Sequence, residues 1–265
     1  ACSFGNAGGL GGGSSVAPLA LPGIVRAAPR LLFDADEPLF IRWRDSPAMI
    51  PWFIRFARES ALARVERNAA ARASILGAVQ DAYAPLIEAA GAQDLVVHGG
   101  ALTVFESRDA LKNAGYALEL GRRYGVAMEE VDGDKAREIN PALGSRVACG
   151  IVYPDSAGTI NPLRLTQTLI EHFKQEGGTV RKETVLGFEF ANGSPTHVIT
   201  NAGTESFELA VIAAGVWSKD LAAKLGTRVL MEAQRGYHAM LPEPGISVPV
   251  RTSLADRNVI ITPME

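Results

Sequence analysis

An α/β fold combined with an α+β region is what this sequence predicts, and three observations predict it. The run Glu208-Leu-Ala-Val-Ile-Ala-Ala-Gly-Val-Trp-Ser218 reads as an apolar strand emptying into Ala213, Ala214 and Gly215 before a helix. A sharply bounded helix and a small β-meander precede it. Between residues 30 and 150, β-rich and helical runs follow one another without the spacing of a βαβ repeat.

The bulk composition narrows the function. At 265 residues, 47% hydrophobic and 21% charged, the chain buries a sizeable core as one large or two intimate domains. A formal net charge of -3 gives no electrostatic case for nucleic acid. Cys2 and Cys149 lie far apart and form no CxxC pair, so neither a disulfide framework nor a zinc site is expected. The histidines, His98, His172, His197 and His238, show no metal-ligand spacing, and no metal is expected. No run approaches the roughly 18 apolar residues a membrane span requires, so the chain is expected to be soluble or peripheral, and its cysteine usage sets the expected location as cytoplasmic. The chain opens at Ala1 without a leader and stops at Glu265 after the strand-like Asn258-Val-Ile-Ile-Thr-Pro-Met264, so both ends read as cut.

Residues 3 to 15 are glycine-rich without matching G-x-G-x-x-G, and composition alone reads them as a flexible leader. From Pro38 to Ser60, Trp43, Trp52, Phe53 and Phe56 interleave with Arg42, Arg44, Arg55 and Arg58, predicting short helices limited by Pro47 and Pro51. Such a stretch suits either a core face with solvated arginines or peripheral contact with a membrane surface. Residues 61 to 90 form a long Ala-rich helical region ending at Gly91. Leu95 to His98 and Ala101 to Phe105, separated by Gly99-Gly100, predict a hairpin. A helix from about Arg108 to Tyr124, a strand near Val126 to Val131 and a helix near Asp134 to Ile139 follow.

Asn161 before Pro162 supplies an N-cap and an N1 proline, Leu165, Leu169, Ile170 and Phe173 give the apolar face, and Gly177-Gly178 closes that helix. Thr184 to Phe190 and Thr196 to Thr200 flank the turn Asn192-Gly193, and Asn201-Ala-Gly203 marks a second turn. The small residues after the 208 to 214 run leave room for a ligand at a strand end, although an ordinary strand-to-helix turn reads the same way.

Several segments together resemble a known family. They are Cys2-Ser3-Phe4-Gly5-Asn6-Ala7-Gly8-Gly9, Pro18-Leu-Ala-Leu-Pro-Gly23, Gly100-Ala-Leu-Thr-Val-Phe105, Pro154-Asp155 to Asn161-Pro162, and Val211 to Ser218. In order and spacing this series resembles the FAD-dependent D-amino acid dehydrogenases of the D-amino acid oxidase and glycine or sarcosine oxidase group. The resemblance implies a Rossmann-like FAD-binding domain with an inserted mixed or antiparallel substrate domain. It implies FAD contacts at Ser3, Asn6, Ala7, Gly8 and Gly9 near the flavin end, and at Val185 near adenine. Ala213, Ala214 and Gly215 fall near the sugar and pyrophosphate, Ala214 standing where threonine is common. It also implies that a βαβ unit lies upstream of Ala1 and a Gly-rich flavin segment beyond Glu265, leaving the 265 residues alone inactive.

On this reading residues 1–29 and 151–226 are parts of the FAD domain, and 30–150 and 227–265 parts of the substrate domain. The implied reaction moves the α-hydrogen of a D-amino acid as hydride to flavin N5, and the imino acid hydrolyses to a 2-oxo acid and ammonia. A glycine or sarcosine-type oxidase and a non-catalytic binding fragment are the alternatives. The alternating run Val229 to Leu241 predicts a strand with Arg235 and Tyr237 on one face, where the guanidinium suits either a substrate carboxylate or a structural carboxylate of the sheet, and the family resemblance implies the substrate. No residue is assigned as catalytic base. The family further implies a quinone as electron acceptor.

Overall fold

The computed structural model describes residues 3–11, 16–23, 25, 46–233 and 236–265. In chain order they form strand β1 (Gly9–Leu10), helices α1 (Ser46–Glu59), α2 (Leu62–Leu76) and α3 (Val79–Ala89), and strands β2 (Val96–Val97) and β3 (Ala101–Phe105). Helices α4 (Arg108–Asn113) and α5 (Gly115–Arg123), strand β4 (Glu129–Asp132), helix α6 (Gly133–Ile139), strands β5 (Cys149–Tyr153) and β6 (Ala157–Thr159), and helix α7 (Pro162–Gln175) follow. The remainder is β7 (Val185–Ala191), β8 (Ser194–Thr200), β9 (Thr204–Ser206), α8 (Ser218–Lys224), β10 (Arg251–Leu254) and β11 (Val259–Ile261). Two compact units result, residues 1–172 with 240–265, and residues 173–239.

The first unit is built on a five-stranded sheet of order β11-β10-β3-β5-β4, antiparallel except where β10 runs parallel to β3. Central β3, Ala101-Leu-Thr-Val-Phe105, buries apolar residues on both faces because both are covered. One face packs Phe105, Cys149 and Ile151 under Leu111 and Leu118 of α4 and α5. The other packs Leu102 and Val104 against Ala136 and Val147. Helices α4 and α6 start where a side chain satisfies a first-turn N–H, with Ser107 Oγ accepting from Ala110 at 3.0 Å and Asp132 Oδ1 from Lys135 at 2.8 Å. A second sheet, β1-β6-β2, is antiparallel throughout.

Several expectations are corrected here. The 95–105 hairpin does not form, because β2 pairs with β6 while β3 pairs with β5 and β10. Gly100, at φ 74°, turns the chain between two sheets, its N–H donating to Ser156 O at 3.0 Å. Residues 108–124 make two helices, the Ala114 N–H being shared between Ala110 O at 3.2 Å and Leu111 O at 3.1 Å just before Gly115. The Ala-rich region likewise divides at residues 77–78, then ends at Gly91 in a left-handed conformation of φ 63°. The strand read at 126–131 starts only at Glu129. The described part of the basic aromatic stretch is one helix, α1, which absorbs Pro51 and stacks Trp52 on Phe56 at 4.9 Å. Residues 38–45 of that stretch, including Arg42, Trp43 and Arg44, lie outside the described residues.

Helix α7 bears out its boundary signals, for Arg164 N–H donates to Asn161 Oδ1 at 2.9 Å and Gly177 stands at φ 89°. In the second unit β7, β8 and β9 form an antiparallel meander. Asn192 and Gly193, at φ 52° and 80°, supply the two left-handed residues of a type I′ hairpin turn. The strand expected at 208–214 is absent, Leu209 and Val211 being 84% and 83% exposed. No strand is assigned among the described residues of 229–241 either. Among the described residues neither segment has a neighbouring strand, and apolar alternation without a ladder partner leaves the backbone to solvent.

Candidate functional site

The amino-terminal turn of the first unit is held by its own polar groups. Asn6 Oδ1 accepts from Gly8 N–H at 2.8 Å, and Thr262 Oγ1 donates to Ala7 O at 3.1 Å. Ser3 Oγ lies 3.1 Å from Thr166 Oγ1 on α7. Gly5 and Gly8 take φ of 72° and 66°, which L side chains rarely adopt. Gly8 O accepts from Thr159 N–H at 2.7 Å, and Gly9 and Leu10 continue as β1 against Gly158 and Ala157. These residues are therefore ordered strand and turn rather than the flexible leader that composition suggested. The structure brings Ser3, Asn6, Ala7, Gly8 and Gly9 into one compact turn.

In the second unit, Val185 opens β7 opposite Thr200. Ala213 and Ala214 run into a single 3₁₀ turn, Gly215–Trp217, continuous with α8. Ala214 N–H donates to Ser218 Oγ at 3.0 Å, and Gly215 takes φ 57° with open space where a Cβ would stand. Tyr237 is 93% exposed, and Arg235 lies outside the described residues.

A match to the family described as FAD dependent oxidoreductase (DAO) runs over residues 1–265. The chain belongs to this DAO family. A D-amino-acid oxidase from Bradyrhizobium diazoefficiens is 33% identical over 245 residues, 92% of this chain and 58% of that protein. A D-amino acid dehydrogenase from Dechloromonas aromatica is 30% identical over 253 residues, again 92% of this chain and 60% of that protein. The chain thus spans somewhat under two thirds of the length of these relatives. Among solved structures, iminodiacetate oxidase from Chelativorans superposes with a TM-score of 0.50 at 17% identity, over 85% of this chain and 49% of that one, a likeness of fold. The mixed α/β class expected from the sequence is the class observed.

Within each unit of this DAO-family chain, the expected cofactor-side segment is a tight turn with main chain free of bulky side chains, which fits close approach of a nucleotide. In the first unit Gly5 is a left-handed glycine with no side chain to obstruct a ligand, and in the second, taken by itself, Gly215 is left-handed and open on its Cβ side. Two features escaped the sequence reading. A cleft of about 280 Å³ in the first unit is lined by Gln80, Tyr124, Tyr153, Asp155 and Ser156, among others, with Gln80 Nε2 donating to Asp155 O at 2.7 Å. Burial pushes the Tyr153 phenol up from its ordinary value. The other feature is Arg251, whose half-buried guanidinium rests on Gly9, so close that a Cβ there would stand 2.6 Å from Nη1. A cation at an inward position of the alternating strand Arg251-Thr-Ser-Leu254 was the available signal. Among the described residues, no group of three or more His, Cys, Asp or Glu could hold a metal ion, and no helix is long and apolar enough to cross a membrane.

Proposed function

We propose that this chain is part of an FAD-dependent oxidoreductase acting on the CH–NH2 group of a D-amino acid, giving an imino acid that water converts to a 2-oxo acid and ammonia. The observation that carries this reading is the likeness, along nearly the whole chain, to a protein named D-amino-acid oxidase. Bound FAD supplies the acceptor for the α-hydrogen and its electron pair. The proposed FAD-holding residues are Ser3, Asn6, Ala7, Gly8 and Gly9 in the first unit, and Val185, Ala213, Ala214 and Gly215 in the second. Support for the first group comes from the closed Asn6–Gly8 turn, and for the last from a left-handed Gly215 with free space beside it.

Arg235 and Tyr237 are proposed to meet the substrate, and the highly exposed phenol of Tyr237 is free to do so. The assignment of 1–29 and 151–226 to FAD, and of 30–150 and 227–265 to the substrate, belongs to the same proposal. So do a quinone acceptor and peripheral membrane contact, the latter supported by exposed Ile50, Trp52 and Ile54 on α1. Anaerobic mixing of the flavin-loaded full-length protein with D-amino acids, sarcosine and glycine tests the reading. Bleaching of the flavin by D-amino acids is expected. Bleaching by sarcosine or glycine alone would move the assignment to an amine oxidase, and none with any amine would overturn it.

A further inference from the structure

In the amino-terminal turn one peptide is held at both of its polar groups. Gly8 N–H donates to Asn6 Oδ1, and the carbonyl of the same peptide, Ala7 O, accepts from Thr262 Oγ1. Because a peptide is planar and stiff, holding both groups fixes the direction in which this stretch of main chain faces. Asn6 is local to the turn, whereas Thr262 arrives from 255 residues away. Residues 262–265 follow β11 and belong to no strand, so the ladder anchors Thr262 from one side alone. Met264 closes the same contact, its Cε lying 3.2 Å from where a Cβ on Gly8 would stand.

Glu265 is the second anchor. Its N–H donates to Ile160 O at 3.2 Å, one carboxylate oxygen accepts from Asn161 Nδ2, and the other accepts from Arg164 Nη1 at 2.5 Å. Arg164 also donates from Nη2 to Asp94, just before β2. The arginine is the fixed partner, because it stands in the first turn of α7 with its own N–H on Asn161 Oδ1. Both ion pairs are partly exposed, and such pairs contribute little to stability. Their effect is geometric, since a rigid fork that spans two carboxylates sets where the 262–265 segment lies. We propose that Arg164 is a positioning residue for the cofactor-side turn: by holding Glu265 it keeps Thr262 on Ala7 O, so that the peptide between Ala7 and Gly8 meets FAD already oriented. A turn that must be re-ordered on binding gives up affinity to that ordering. This rests on the FAD-dependent reading above, and adds Arg164 and Thr262, which act on the cofactor only through the turn.

The test compares Arg164→Gln, Thr262→Val and the double variant with Arg123→Gln, all in the full-length protein. Arg123 is a matched control, a guanidinium on α5 that is likewise shared by two carboxylates, Glu66 and Glu119. Thermal midpoints should fall by similar small amounts in Arg164→Gln and Arg123→Gln. Hydrogen exchange in the peptide covering residues 3–10, read by mass spectrometry on deflavinated protein, should quicken in Arg164→Gln and Thr262→Val and stay unchanged in Arg123→Gln. Titration of the same protein with FAD should give a Kd raised about fivefold in the first two, the worth of one hydrogen bond, and unaltered in the control. The double variant should lose no more than the weaker-binding single one, because both changes act through one contact. Unchanged exchange in Arg164→Gln, quickened exchange with an unchanged Kd for FAD, or losses that add in the double variant would each overturn the proposal. Failure of the wild type to bind FAD sinks the reading on which this rests, an outcome separate from unchanged exchange, which sinks the Arg164 lock alone.

Discussion

Asn140 Nδ2 donates to Thr252 Oγ1 at 2.8 Å, and both side chains are wholly buried. Thr252 Oγ1 donates onward to Val250 O at 3.0 Å, and Asn140 Oδ1 accepts from Ala142 N–H at 3.1 Å. This chain of bonds ties the residue that ends α6 to β10, one position from Arg251. Thr252→Val keeps the shape and removes the acceptor, leaving a buried amide unsatisfied at a cost of about 1–3 kcal/mol. Urea unfolding measures it, and Asn140→Leu combined with Thr252→Val should cost less than the sum of the single changes. Strict additivity would show that the two do not interact.

Gly8→Ala forces a Cβ to 2.5 Å from Thr159 O at a φ of 66°. Gly91→Ala meets the same left-handed backbone, φ 63°, in open space. The second change should cost about 1 kcal/mol, and the first at least about 2 kcal/mol, since the Thr159 backbone must also move. Equal melting temperatures for the two variants would contradict the close approach.

Glu66 receives Arg123 Nη1 at 2.7 Å and the Tyr116 hydroxyl at 3.1 Å. The Arg123 hydrogen bond holds its carboxyl below the ordinary 4.5. A folded value below the unfolded one contributes stability that is present above pH 4.5 and lost as pH falls through the folded value. Glu66→Gln should therefore lower the melting temperature at neutral pH, by a margin that shrinks steadily below about pH 4.5. A margin that stays constant down to acid pH would rule out the linkage.

Cys149 is wholly buried, and burial pushes its thiol up from the ordinary value. Native protein should leave the Cys149 peptide unalkylated by iodoacetamide at neutral pH, and reactivity should appear along the urea unfolding curve. Mass spectrometry of that peptide reads the outcome, and rapid labelling without urea would refute the packing at β5.

Local signals were legible where local chemistry decides the outcome. The Asn161-Pro162 start of α7, the Asn192-Gly193 turn and the end at Gly91 each depend on a few adjacent backbone groups. What failed depended on distant partners. Gly99-Gly100 carries the composition of a hairpin turn, yet β3 takes as neighbours β5, next to it in space, and β10, some 150 residues along the chain. Apolar alternation at 208–214 reported what a strand requires without reporting whether a ladder partner exists. Arg251 escaped for the same reason, since its setting arises only when β10 meets β3 and Gly9 folds back over it. Composition could not separate the Gly-rich 3–10 segment from a leader, whereas the ordered likeness to a family did.

The corner at Gly100 also bears on biosynthesis. Because β3 has β10 as its parallel neighbour, the central sheet stays open along one edge until Leu254 has cleared the ribosome. Nascent chains paused earlier expose an apolar edge, and chaperone dependence should track the time needed to translate the interval between Phe105 and Arg251.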